Sequence, residues 1–166
     1  MQNLTLKKVK EKFSDSIQGV IEFRGELTVV IEKESLLALC SFLKDDPDLQ
    51  YDFLSDVTAV DYPEREKRFD VVYNLYSIPK RWRIRLKVTV GEEESVPSIT
   101  SLWASANWSE REVFDLFGIR FDNHPDLTRI VMPDDWVGHP LRKDFPLTQE
   151  EVTFSHNKNR PPKMVE

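Results

Sequence analysis

Cysteine is nearly absent: Cys40 is the single one in 166 residues. One thiol cannot close an intramolecular disulfide, and without a CxxC pair there is no zinc knuckle or cysteine-ligated iron–sulfur cluster to build. Glycine is scarce too. Gly19, Gly25, Gly91, Gly118 and Gly138 form neither GxGxxG nor GxxxxGK[ST]. Backbone amides therefore lack a ready cradle for phosphate, which argues against a self-contained dinucleotide or ATP site. Long apolar runs are missing as well, the longest, such as 36–40, falling far short of the roughly 20 residues that cross a bilayer. The first residues mix lysines with isolated leucines and carry no apolar core or cleavage site, so no secretory leader is read and a cytoplasmic protein is expected. A net charge of −6 argues against general nucleic-acid binding.

What is present suits one globular domain with a real core, at 40% hydrophobic and 31% charged residues. Residues 4–13 read as a short basic amphipathic helix with Leu4, Leu6, Val9 and Phe13 inward. Strands at 20–24 and 27–31 flank Gly25-Glu26, a hairpin turn, and 34–44 fits a helix with a wide apolar face, ended by Asp45-Asp46-Pro47. A further strand is expected at 51–61, followed by a charged loop at 62–68. Residues 69–77 and 82–88 alternate apolar and polar on either side of the Ile78-Pro79-Lys80 turn, the pattern of a sheet with one buried and one wet face. The fold class read from this is α+β: a single mixed or antiparallel sheet with helices over one face, spanning 1–122, followed by an extended Pro-rich C-terminal tail at 123–166.

That tail is unusual. Six of the ten prolines lie in the last 42 residues, so regular structure is discouraged. Yet Leu127, Ile130, Val131, Met132, Trp136, Val137, Leu141, Phe145 and Leu147 are large apolar groups, which disordered segments lack. They must bury against their own domain or against a partner, and the partner is favoured.

Candidate sites divide unevenly. His124 and His139 each precede proline and are too far apart in the chain for a helical ligand pair; with His156 they read as imidazoles tying loop backbone together, the rival being a small stand-alone hydrolase or metalloenzyme that adds Asp126 or Asp144. Cys40 sits on an apolar helix face and reads as packing. Arg81, Arg83, Arg85 and Lys87 make a basic strand face, read as solvated and balanced by carboxylates; the rival is a nucleic-acid surface, weakened because no aromatics interleave. Ser109 and Glu112 read as a capping box opening a helix, with Glu110 complementing its dipole, Val113, Phe114, Leu116 and Phe117 as the buried stripe and Gly118 as the stop. Capping alone leaves Arg111 and Asp115 unexplained.

The run 110–119, Glu-Arg-Glu-Val-Phe-Asp-Leu-Phe-Gly-Ile, followed by His124-Pro125-Asp126-Leu127, resembles the signature of the 30-kilodalton (C) subunit family of proton-pumping NADH:quinone oxidoreductase, respiratory complex I. Gly138-His139-Pro140-Leu141-Arg142-Lys143-Asp144-Phe145-Pro146-Leu147 looks like the same family's second motif, and the resemblance is specific over about 101–147. Thr128 departs from it, standing where the family carries a basic residue, with Arg129 as the neighbouring substitute.

The resemblance implies a chain that binds no cofactor or metal and is not catalytic alone. FMN, iron–sulfur clusters and quinone would belong to the other subunits of complex I. Its own partners would be subunits D, B and I, the first of them chiefly. It implies a peripheral position on the cytoplasmic side of the membrane, with membrane contact only through the complex. A chain that stops soon after the second motif is expected of a free-standing C subunit. The implied interface and signature residues are Glu110, Arg111, Glu112, Asp115, Gly118, His124, Pro125, Asp126, Arg129, His139, Pro140, Leu141, Arg142, Lys143, Asp144, Phe145 and Pro146. Glu110, Arg111 and Asp115 are expected to form charge pairs that hold the following loop, and Arg142 to Asp144 to straddle a partner surface, with Phe145 as an anchor. The alternative is the equivalent subunit of a related membrane-bound hydrogenase or coenzyme F420 dehydrogenase.

Overall fold

The computed structural model describes residues 2–146. Leu147 and the rest of the expected tail lie outside the described residues. In order along the chain are α1 (Gln2–Phe13), β1 (Ile17–Phe23), β2 (Glu26–Ile31), α2 (Leu36–Asp45), β3 (Phe53–Asp61), β4 (Phe69–Ser77), β5 (Trp82–Val90), β6 (Ser95–Pro97), α3 (Ala106–Phe117) and β7 (Arg120–Asp122). Five strands form one mixed sheet in the order β1-β2-β5-β4-β3, antiparallel except for the β2–β5 pair. The α+β class with a mixed sheet is therefore what the chain adopts.

Register explains which side is core. Val29 faces Leu86, Leu86 faces Tyr73, and Tyr73 faces Val57, so one row of apolar residues crosses four strands on one face. All four are buried, together with Leu36, Leu39, Cys40 and Leu43 of α2 and Ala106, Val113 and Phe117 of α3. Because side chains alternate along a strand, the opposite face collects Thr28, Arg85, Asn74 and Asp56 in the neighbouring row. Arg85 donates to Glu26 at 2.8 Å and Lys87 reaches Asp70 at 3.1 Å, so the carboxylates expected beside this basic strand are there.

Local chemistry corrects three sequence-based details. The first hairpin turns on Arg24-Gly25, not Gly25-Glu26: both have positive φ (51° and 79°), the pair of left-handed conformations that tight hairpin turns need, and Glu26 already pairs with Phe23. In α1 Val9 is buried and Leu6 and Phe13 pack partly against the core as expected, but Leu4 is exposed and Thr5 is buried in its stead, because Thr5 Oγ1 meets the Tyr51 hydroxyl at 3.1 Å and sets the helix rotation. Finally, α3 begins at Ala106, so Ser109 lies within the helix and is not its cap. Backbone bonds from Leu102 and Trp103 to the Ile99 carbonyl, and from Ala106 to Trp103, already wind the chain upstream. Buried Trp103 anchors that turn by donating its indole N–H to the Asp52 carbonyl. A two-stranded parallel sheet, β6–β7, escaped notice because three-residue strands show no periodicity.

Tyr73 is fully buried on the core face, and its hydroxyl has no hydrogen-bond partner among the described residues. A buried unpaired hydroxyl costs about 1–3 kcal/mol. Tyr73→Phe is therefore expected to raise the urea midpoint of unfolding at unchanged slope, a gain of about 1 kcal/mol; a lower midpoint would show that the hydroxyl is partnered.

Candidate functional site

The two sequence motifs meet at the C-terminal end of α3. A helix leaves its last four carbonyls without intrahelical partners, and here every one is taken. Phe114 O accepts from Gly118 N at 2.8 Å, and Leu116 O from Leu141 N at 3.0 Å. Asp115 O accepts from His139 Nδ1 at 2.8 Å, and Phe117 O from Arg142 Nε at 2.6 Å. The last turn of α3 has no basic residue of its own, so Arg142 and Arg129, brought in by the loop, supply the positive charge that a helix C-terminus favours. Gly118 permits this closeness. Its φ is +77°, and a Cβ there would lie 2.5 Å from His139 Nε2 and 2.7 Å from an Arg142 nitrogen. Gly118, in the first motif, is thus shaped by the second.

Asp115 holds the middle of the loop. Its carboxylate is fully buried and accepts from the backbone amides of Ile130, Val131 and Met132 at 3.1, 2.8 and 2.9 Å, while Arg129 Nη1 pairs with it at 2.6 Å. Burial alone would raise the Asp115 pKa, but those amides and Arg129 outweigh it and hold the carboxyl below the usual 3.8. Its contribution to stability is therefore present above that value and is lost as pH falls through the lower folded pKa.

Of Glu110, Arg111 and Asp115, the last two hold the following loop, and only Asp115 does so through a charge pair. Arg111 donates to the Thr128 carbonyl and hydroxyl and to the Arg129 carbonyl at 3.0, 2.7 and 3.2 Å, with its guanidinium over the Trp108 ring. Thr128 thus serves as an acceptor, and Arg129 makes the ionic contact. Glu110 points the other way. Fully buried, it accepts from Ser98 Oγ at 2.6 Å and Ile99 N at 2.8 Å, tying α3 to the segment just after β6. His124 Nε2 lies 4.0 Å from Glu110 and 3.2 Å from the Asn107 carbonyl, while its Nδ1 accepts from Asp126 N, so Nε2 carries the hydrogen. Desolvation pushes the Glu110 pKa from 4.5 up to about 7, against the Ser98 and Ile99 hydrogen bonds.

The second motif is fixed at its far end too. Lys143 N donates to Asp61 at 2.7 Å; Arg68 bridges Asp61 and Asp144 at 2.7 and 2.6 Å; Arg142 reaches Glu92 at 2.5 Å. Phe145 stacks on Trp136 with ring centroids 6.2 Å apart and lies so near Gly138 that a Cβ there would be 2.9 Å from its ring. Arg142, Asp144 and Phe145 therefore make these contacts within their own chain. Glu112, Pro125, Asp126, Pro140 and Pro146 do not join the hydrogen-bonded cluster through their side chains; of these all but Pro140 are exposed. Leu127 packs against the core, while Trp108, Val131, Val137 and Leu141 stay exposed.

Sequence reasoning missed Asp61, Arg68, Glu92 and Ser98. Each looks like an ordinary loop or strand residue, and the separations involved, 76 residues for Arg68 to Asp144, leave no local signal. Chemically, the cluster holds shape. His124 and His139 bond to carbonyls of Asn107 and Asp115, roughly 12 Å apart along the helix. Among the described residues no three of His, Cys, Asp and Glu converge to hold a metal. Burial raises the Cys40 thiol pKa, and burial with the Arg142 and Arg129 charges lowers that of His139.

Two measurements check this site. Asp115→Asn should cost about 3 kcal/mol in urea unfolding and speed hydrogen exchange at the Ile130, Val131 and Met132 amides; unchanged exchange there would refute the anchoring role. For Glu110, the folded carboxyl binds its proton more tightly than the unfolded one, so its contribution is full below 4.5 and is lost as pH rises through about 7. Glu110→Gln should therefore gain on the parent as pH rises from about 5 to about 8; parallel stability curves would contradict the assignment.

The chain matches the family model "Respiratory-chain NADH dehydrogenase, 30 Kd subunit" over residues 29–151. It is 56% identical to the NADH-quinone oxidoreductase C subunit of Geotalea uraniireducens over 146 residues, 87% of this chain and 88% of that one. To the C subunit of the same enzyme from Roseiflexus sp. it is 52% identical over 156 residues, 93% and 90% of the two chains. In three dimensions it resembles a chain of the membrane-bound sulfane sulfur reductase, an archaeal respiratory membrane complex, with a TM-score of 0.74 and 99% of each chain covered, at 20% identity, a likeness of fold. Two interlocked motifs, a matching family model and relatives aligned over most of their length make this chain a member of the respiratory-chain NADH dehydrogenase 30-kilodalton subunit family, the C subunit of NADH-quinone oxidoreductase.

Proposed function

We propose that this chain is a non-catalytic peripheral-arm subunit of a proton-translocating NADH:quinone oxidoreductase. Its role is to fix the geometry of the subunits that carry electrons from NADH through iron–sulfur clusters to quinone. Its relatives are subunits of that oxidoreductase, so its partners are other subunits of the complex, chiefly the D subunit, with subunits B and I nearby. FMN, clusters and quinone belong to the other subunits. No helix among the described residues is long and apolar enough to cross a membrane, in keeping with attachment through the complex on the cytoplasmic side.

One observation carries the reading. The ionisable side chains of both motifs that bond at all bond to backbone, hydroxyls or charges of their own chain, while Val131, Val137 and Leu141 are left exposed on the loop they hold and Trp108 is exposed on α3. Such an arrangement spends its charged groups on holding shape. It presents a rigid surface with apolar anchors, which is what a subunit interface uses.

Val137 is 85% exposed. Val137→Asp should leave the isolated chain's stability within about 0.5 kcal/mol, yet sharply reduce its co-purification with the D subunit. Full retention in the complex would remove this loop from the interface.

A further inference from the structure

A second surface lies on the side of the sheet away from the core, and nothing in the cluster around α3 uses it. Strand register sets Ile21 and Phe23 of β1, Glu26 of β2, Arg85 of β5 and Phe53 of β3 on that face. Phe23 is 66% exposed, Ile21 51% and Phe53 48%, at the end of the sheet where the β1–β2 and β4–β5 turns meet. Between them is a hollow of about 550 Å³ lined by Phe53, Asp56, Tyr76, Arg83 and Arg85.

Charge gathers at this end against the trend of the molecule. The chain carries −6 overall, yet Arg24, Lys80, Arg81 and Arg83 make no ion pair among the described residues, whereas Arg85 is taken by Glu26. Arg24 lies over the Phe23 ring and Arg83 over Tyr76, 5.2 and 5.7 Å from the ring centroids, so aromatic faces keep both guanidiniums in place without neutralising them. Asp56 is the one acid of the hollow that is left unpaired among the described residues. Alongside runs β1, an outer strand of the sheet, and its residues 18–23 bond to no backbone but that of β2 among the described residues. The usual protections of such an edge are few here: no proline, no lysine, a single charge at Glu22, and one irregularity between Ile17 and Gly19.

We propose that this face docks an extended acidic segment of another subunit, part of it laid along the free edge of β1 and the rest crossing the outer face of the sheet to the hollow, with its carboxylates toward Arg24 and Arg83, one apolar side chain beside Phe23 and another beside Phe53. This rests on reading the chain as one subunit of a larger assembly, and it names a second contact, separate from the loop that carries Val137. A free edge favours an extended segment because main-chain bonds supply affinity while side-chain pockets supply choice. Unpaired arginines on aromatic faces favour carboxylates, which they can grip in a fixed direction.

The test uses the purified, assembled complex with photoreactive benzoylphenylalanine in place of Phe23 and, in a separate preparation, in place of Val137. The Phe23 probe is expected to label a stretch of a different subunit in which Asp and Glu outnumber Lys and Arg. Arg83→Glu should cut that labelling about tenfold while Arg83→Lys keeps most of it. The melting temperature of the isolated Arg83→Glu chain should not move, because this side chain is exposed and has no acid to lose. Labelling of lipid, of a second copy, of the chain's own residues or of a stretch without excess acid overturns the proposal. So does an unlabelled Phe23 probe when the Val137 probe finds its partner. If neither probe labels a polypeptide in the intact complex, both this inference and the docking role of the loop fall.

Discussion

Four carbonyl oxygens at the end of α3 organise the half of the molecule that carries the family signature. Left in water they would cost little, but Val113 and Phe117 press that helix into the core and bring its end against loop residues. Once dry, each oxygen needs a donor. The chain answers with a sharp reversal at Gly118 and returns some twenty residues later with an imidazole, an amide and a guanidinium for the three that Gly118 does not cover. The two motifs are therefore one structural object. Neither has its conformation without the other, which accounts for a Pro-rich stretch holding a definite path without secondary structure of its own.

Two acids five residues apart on that helix show how environment sets chemistry. Glu110 and Asp115 are equally buried. Asp115 meets three amides and a guanidinium, so its charge is better solvated inside the protein than by water, and its pKa falls. Glu110 meets one amide and one hydroxyl, with an imidazole a little too far for a bond, and desolvation wins. Their effects on stability run in opposite directions with pH. The loop that Asp115 grips is thus most firmly held where Glu110 is least comfortable.

Much of the framework was legible from pattern alone. The β4–β5 pair was visible because alternation at period two needs a buried and a wet face, and the observed strands begin at Phe69 and Trp82 as expected. The start of α3 was misread because Ser109 and Glu112 mimic a cap, and only the bonds of Ile99 to Trp103 reveal that winding begins earlier. Of the site, the motif residues stood out, but their partners did not. Arg68 and Asp61 meet Asp144 across a long stretch of chain, and no local propensity encodes such a meeting. The destination of the tail also turned on this. Counting greasy side chains cannot say which surface covers them, whereas Arg142, Lys143 and Asp144 each bond within the chain, carrying at least the residues up to Pro146 back onto the domain.

That return has a consequence for assembly. A loop ordered only on contact with its partner spends part of the interaction energy on losing its own freedom, about 1–2 kcal/mol for each residue fixed. Here that ordering is incurred during folding, offset by hydrogen bonds at α3, Asp115 and Asp61 that exist before any partner arrives. The exposed side chains of Val131, Val137 and Leu141 are thus set in fixed positions without a partner. For a chain whose proposed task is to keep other subunits in register, a surface rigid before docking is what transmits position; a loop that folded onto its neighbour would take its shape from the very subunits it is meant to align.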